Sequence, residues 1–173
     1  MDILQFLTSK KQSPVLLFRA KSAYPAQFFF WVLQQYKKSI ACHVIDLDEV
    51  DISSMKALIH TTFLGQPGLY WLRNVSAIAP KARVELLSFL SDYQGPNTVW
   101  LFVYTTDITK IGPAWQDILL PDEINQKDFI QLMSALESWS SVSLREPANL
   151  IFQQRKSIMF DELFTLNRYL QLL

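Results

Sequence analysis

Residues 61–74, TTFLGQPGLYWLRN, decide how this chain is read. An apolar pair, Phe63-Leu64, leads through Gly65 and Gly68 into GLYWLR at 68–73, a run without helical period that suits a strand buried on both faces. No glycine precedes Gly65. The turn after the first strand therefore cannot be a glycine-rich phosphate cradle, even where the surrounding pattern suggests a nucleotide-binding α/β domain.

Working outward, three more runs have the same strand character: PVLLFR at 14–19, CHVIDL at 42–47 and TVWLFVY at 98–104. Helical patterns separate them. Ser22 to Lys38 carries Pro25 in a first turn and Phe28, Trp31, Val32 and Tyr36 at helical spacing. Asp51 is placed to cap a helix with Met55, Leu58, Ile59 and Thr62 on one side. A further helix over about 80–93 faces Val84, Leu87, Leu90 and Tyr93 inward and stops at Gly95-Pro96. Strands alternating with helices predict an α/β fold, a parallel sheet covered on both faces, with right-handed crossovers. A short fifth strand is expected near Ile118 to Leu120.

Beyond Pro121 the pattern turns helical, with Asn125 capping a helix that carries Phe129, Leu132, Met133 and Leu136. SWSSVSLREP at 138–147 reads as a polar connection, followed by helices over about 147–156 and 160–173. This divides the chain into an α/β domain, 1–122, and a helical segment, 123–173, too short to bury its own core and so expected to lean on the first.

Composition narrows the function classes. Half of the 173 residues are apolar and 18% are charged, as expected of a folded protein. Sixteen basic residues balance sixteen acidic ones, which removes the long-range attraction of a dedicated nucleic-acid binder. The single cysteine, Cys42, leaves no internal disulfide framework and points to an intracellular, cytoplasmic protein. MDILQFLTSKK lacks the order of a signal peptide, and the longest apolar runs, FFFWVL and VWLFVY, are too short to span a membrane.

Catalytic chemistry finds little to work with. An ATPase of this architecture needs GxxxxGK and Ser or Thr after the first strand, whereas the chain has FRAKSAYP, in which Lys21-Ser22 only echoes the last two letters. The third strand ends in Arg73-Asn74, where a magnesium-dependent ATPase would carry acidic residues. His43 and His60 have no metal-ligand spacing, and Cys42 beside His43 in a strand points to the opposite face. The acidic run Asp46, Asp48, Glu49, Asp51 lacks the glycine and terminal glutamate of a calcium loop. Neither catalysis, a cofactor nor a metal is expected. Phe63-Leu64 is different in kind: between a helix and a glycine it either closes the core under the sheet or projects as an anchor for an apolar pocket on a partner.

The order of these pieces resembles the delta subunits of bacterial DNA polymerase III clamp loaders. The resemblance rests on SPVLLFRAKSAYPAQFFF at 13–30, TTFLGQPGLYWLRN at 61–74, LLSFLSDYQGPNTVWLFVYTT at 86–106 and FDELFTLNRYLQLL at 160–173. It covers nearly the whole chain but only the front half of the family's plan; the C-terminal helical collar has no counterpart. It implies an AAA+-type three-layer domain without a functional phosphate loop, a lid-like helical segment, and a non-catalytic part in DNA replication. The implied partner is the ring-shaped sliding clamp, with other loader subunits possible and DNA engaged only indirectly. Phe63 matches the aromatic of the family's clamp-binding element, with Leu64 beside it. Thr62 stands where the family usually has an aliphatic residue, a departure that weakens the expected contact or shifts it toward Leu64. The alternative is an interaction or scaffold module that keeps the fold and serves another protein partner.

Overall fold

The computed structural model describes residues 3–8, 13–21, 40–104, 115–135, 142–159 and 162. Their elements, in chain order, are α1 (Ile3–Thr8), β1 (Val15–Ala20), β2 (Cys42–Asp46), α2 (Ile52–His60), β3 (Leu69–Arg73), a single 3-10 turn (Val75–Ala77), α3 (Pro80–Ser91), β4 (Thr98–Tyr104), β5 (Gln116–Leu119), β6 (Glu123–Asn125), α4 (Gln126–Ala135), α5 (Val142–Gln154) and β7 (Ser157–Met159). The helix expected over Ser22 to Lys38 and, apart from Glu162, the final helix over 160–173 lie outside the described residues.

Five strands form one sheet in the order β2-β3-β4-β1-β5, and every neighbouring pair is parallel. Parallel strands need crossovers, and the side chains of the three central strands divide between two apolar layers, as a sheet covered on both faces requires. Leu16, Phe18, Leu69, Trp71 and Trp100 join one core with Ile3 and Phe6 of α1, Phe129 of α4 and Ala148 of α5. Their alternate neighbours Val15, Leu17, Tyr70, Leu72, Val99, Leu101 and Val103 join the other, with Met55 and Ile59 of α2 and Leu86 and Leu90 of α3. The α/β architecture is thus three layers deep. β2 is an edge strand, and its His43 and Val44 are exposed where a strand buried on both faces was expected.

Two helix faces differ from the expected ones. On α2 the stripe is Met55 and Ile59, one turn apart, while Leu58 turns outward. On α3, Leu86 and Leu90 are buried and Val84 is 68% exposed. VELLSFL offers apolar residues on several faces, so spacing alone could start the stripe at Val84; packing against β3 and β4 selects Leu86. Asp51 caps α2 as expected, accepting the Ser54 N–H at 2.9 Å.

The segment after Pro121 is not all helical. β6 and β7 pair antiparallel, Ile124 opposite Ile158, and both isoleucines are buried in the core that holds Leu16 and Phe18. Strands of three residues are too short to show alternation in sequence. The polar connection expected to reach 147 is cut short, because α5 starts at Val142 and runs through Pro147. A proline is a signal for a first turn, yet here one lies in the second. Asn125 does cap α4: its side-chain oxygen accepts the Asp128 N–H at 2.9 Å. The six-residue α1 had no periodicity long enough to announce it, yet Phe6 is fully buried, edge-on to Phe18 with ring centroids 5.5 Å apart.

Candidate functional site

The strand order reverses beside β1. From β1 the chain moves to β2, past β4 and β3, and from β4 it moves to β5, past β1. In an open α/β sheet the crevice at such a point, outside the carboxyl ends of the strands, is where a ligand is expected. Here Lys21 directly follows β1, and its ammonium is paired with the carboxylate of Asp122. That hydrogen bond, then the charge of Asp122, raises the Lys21 pKa above its ordinary value. At the tip of β3 the Arg73 guanidinium grips Asp46 with two nitrogens, Nε at 2.6 Å from Oδ1. Asn74 adopts a left-handed conformation (φ 62°) and donates to the same Oδ1 at 2.7 Å. Among the described residues at this edge, Lys21 is thus engaged with Asp122 and Arg73 with Asp46. Among the described residues no group of histidine, cysteine and acidic side chains could hold a metal ion.

The opposite edge of the sheet carries the apolar pair. Phe63 is 72% exposed and Leu64 86%. Both project, so the reading in which they close the core fails, while Thr62 is half-buried. The Gln66 N–H donates to the Phe63 carbonyl at 3.0 Å, closing a four-residue turn. Leu64 (φ 51°) and Gly65 (φ 75°) both lie in the left-handed region, the requirement of a type I′ turn. Glycine takes that conformation freely, and nothing lies within 4 Å of where a Cβ on Gly65 would stand. Leucine does not: a left-handed residue with a Cβ costs roughly 1–2 kcal/mol. Leu64 recovers none of that cost through burial.

The ends of the turn are held from below. Asn97, 1% exposed, is the one buried polar side chain among the described residues besides the buried tyrosines and tryptophans. Its amide nitrogen donates to the carbonyls of Ile59 at 2.7 Å and Thr61 at 3.0 Å, and its side-chain oxygen accepts the Gly68 N–H at 2.7 Å. The Tyr93 hydroxyl donates to Ile59 O at 2.8 Å and accepts the Asn97 N–H at 3.2 Å. Gly95 permits this: a Cβ there would stand 2.4 Å from the Tyr93 hydroxyl oxygen. Neither Asn97 nor Tyr93 stands out in the sequence as part of a site. Gly95-Pro96-Asn97 reads as a helix stop, and nothing in that signal says the asparagine turns inward.

Burial raises the Tyr93 phenol above the usual tyrosine range, against a smaller opposing effect of the Asn97 N–H. A group whose folded pKa is raised contributes stability that is complete below its unfolded pKa and is lost as pH rises through the folded one. Unfolding by urea should therefore grow easier as pH climbs past about 10, where an unfolded tyrosine ionises. The Tyr93→Phe variant should lack that part of the alkaline decline.

No protein-family model matches this chain, and no curated protein matches it in sequence. Among the described residues no helix is long and apolar enough to cross a membrane.

Proposed function

We propose that this chain is a non-catalytic protein of DNA replication, similar to a clamp-loader delta subunit, that binds a ring-shaped sliding clamp through Phe63 and Leu64. The single observation behind this reading is the exposed pair on a turn whose leucine is held in a left-handed conformation. An apolar residue kept exposed at a strained position costs stability without return inside the molecule, and such outliers gather at functional contacts. The sequence resemblance names the contact. A parallel sheet with helices on both faces suits the AAA+-type domain it implies, and the elements after Pro121, two short strands among them, would take the place of the lid-like segment.

Absence of ATP turnover belongs to the same proposal. Lys21, in the place of a phosphate-loop lysine, is engaged with Asp122, and Arg73-Asn74 occupy the strand tip where acidic metal ligands would be needed. The protein would act in the cytoplasm beside other loader subunits and reach DNA only through the clamp.

Leu64→Asn tests the reading because function and stability should move in opposite directions. Asparagine tolerates the left-handed conformation, and Asn-Gly is the preferred pair of a type I′ turn. The variant should be more stable to heat by about 1 kcal/mol. In a titration with a bacterial sliding clamp it should bind more weakly than the parent. Unaltered affinity would remove Leu64 from the contact, and a parent chain that does not bind the clamp would end the proposal.

A further inference from the structure

We infer that Asn97 is the positioning residue of the Phe63–Leu64 turn, an inference that rests on the turn being a contact site. The segment from Thr61 to Gly68 leaves α2 and enters β3, and its two ends are tied together by one carboxamide. The donor hydrogens of Asn97 reach Ile59 O and Thr61 O on the outgoing side, and its oxygen takes the Gly68 N–H on the incoming side. The turn hydrogen bond from Gln66 to Phe63 fixes only the shape of the tip. The direction in which the tip points from the sheet depends on how the two ends are clipped. Other bonds hold one end alone: on the outgoing side the Tyr93 hydroxyl on Ile59 O at 2.8 Å and the Thr61 hydroxyl on Ala57 O at 2.8 Å. On the incoming side they are the Thr98 N–H on Gly68 O at 2.9 Å and the Leu69 N–H on Ala41 O at 2.8 Å. The Tyr70 hydroxyl on Thr61 O also spans the two ends, at a long 3.4 Å.

The geometry requires an asparagine. Two carbonyls need two donors and one N–H needs an acceptor, which a carboxamide supplies from a single planar group. Aspartate has the same shape but would set a carboxylate against two carbonyl oxygens; leucine would leave the buried Gly68 N–H unpaired, Ile59 O with the Tyr93 hydroxyl alone and Thr61 O with the long Tyr70 bond alone. Nothing in the arrangement brings Asn97 to a partner's surface. It acts through the backbone that carries Phe63 and Leu64.

The test compares the parent with Asn97→Asp by amide hydrogen exchange and by titration with a sliding clamp. Positioning predicts that the amides of residues 61–68 lose protection roughly 10- to 100-fold more than those of β1 and β4. It also predicts that clamp affinity falls about tenfold or more while the core amides show the protein folded. In the double variant with Phe63→Ala the loss should be smaller than the sum of the two single losses, since only Leu64 is left on the turn to be misplaced. A merely structural role would give uniform exchange losses and additive binding losses, and either result overturns the inference. Where Asn97→Asp does not fold, Tyr93→Phe withdraws one hydroxyl from the same network; it should loosen 61–68 selectively, and uniform exchange in that variant is equally decisive against positioning. If the parent does not bind the clamp, the functional reading fails, and the exchange comparison still decides whether Asn97 holds the turn.

Discussion

Trp100→Ala is expected to cost about 3–5 kcal/mol of folding stability, the largest effect of any single truncation proposed for this protein. Trp100 sits in β4, opposite Trp71 of β3 on one side and Leu16 of β1 on the other, so its indole lies over the middle of the sheet. It is fully buried, tilted against Phe18 at 5.0 Å between centroids and edge-on to Phe6 at 6.1 Å. Those partners cannot follow it inward: Phe18 is fixed on the neighbouring strand, and Phe6 belongs to a helix that also packs against α4 and β5. The site cannot collapse, and the cost is the lost transfer of the indole plus the cavity it leaves. A domain of this size holds about 5–15 kcal/mol in all, so the variant should unfold at much lower urea concentration and release α1 first in hydrogen exchange. Trp100→Phe should recover a large part of the loss. Clamp affinity, measured where the variant is still folded, should be unchanged, because the turn is clipped through Asn97 and Tyr93 and not through this core. A loss below 1 kcal/mol, measured by urea unfolding, would show the aromatic cluster to be looser than its geometry implies.

The parts of this fold that the sequence made legible are those where one requirement dominates. β1, β3 and β4 are buried on both faces, so their apolar runs stand out without any periodicity to interpret. Asp51 and Asn125 are caps with a local partner three residues away, so the interaction is written in the sequence itself. Where two requirements competed, sequence could not rank them. VELLSFL on α3 allowed several stripes, and the choice of Leu86 over Val84 was made by residues of β3 and β4 far along the chain. β6 and β7 exist because Glu123–Asn125 and Ser157–Met159 meet in space. The candidate site divides in the same way. Phe63, Leu64 and Gly65 were visible as two large apolar residues before a glycine, but their outward direction was not, because a type I′ turn depends on backbone angles that a leucine ordinarily avoids. Asn97 was invisible, since its three partners, at Ile59, Thr61 and Gly68, are joined only by folding.

Phe63→Ala should abolish most of the binding to a sliding clamp while leaving the fold intact. The side chain is 72% exposed and its own backbone, not its ring, makes the turn hydrogen bond. Its removal should therefore change folding stability by no more than about 0.5 kcal/mol, the usual range for surface positions. A single aromatic anchor inserted in a partner's pocket is worth about 2–4 kcal/mol, or roughly a 30- to 1,000-fold rise in Kd. The two numbers separate a contact from a structural role, because a residue that acted through the fold would move both together. Val84→Ala is the matched control: Val84 is also exposed and apolar, but it lies on α3 away from the turn, and its removal should leave affinity where it was. The salt response adds a second discriminant. The chain has no net charge and the anchor is apolar, so binding through Phe63 should weaken little between low and moderate ionic strength, whereas a charge-driven contact falls steeply over the same range. Equal affinity in the parent and in Phe63→Ala, measured by calorimetry on the folded proteins, would remove the aromatic from the contact and leave the exposed pair without the role assigned to it.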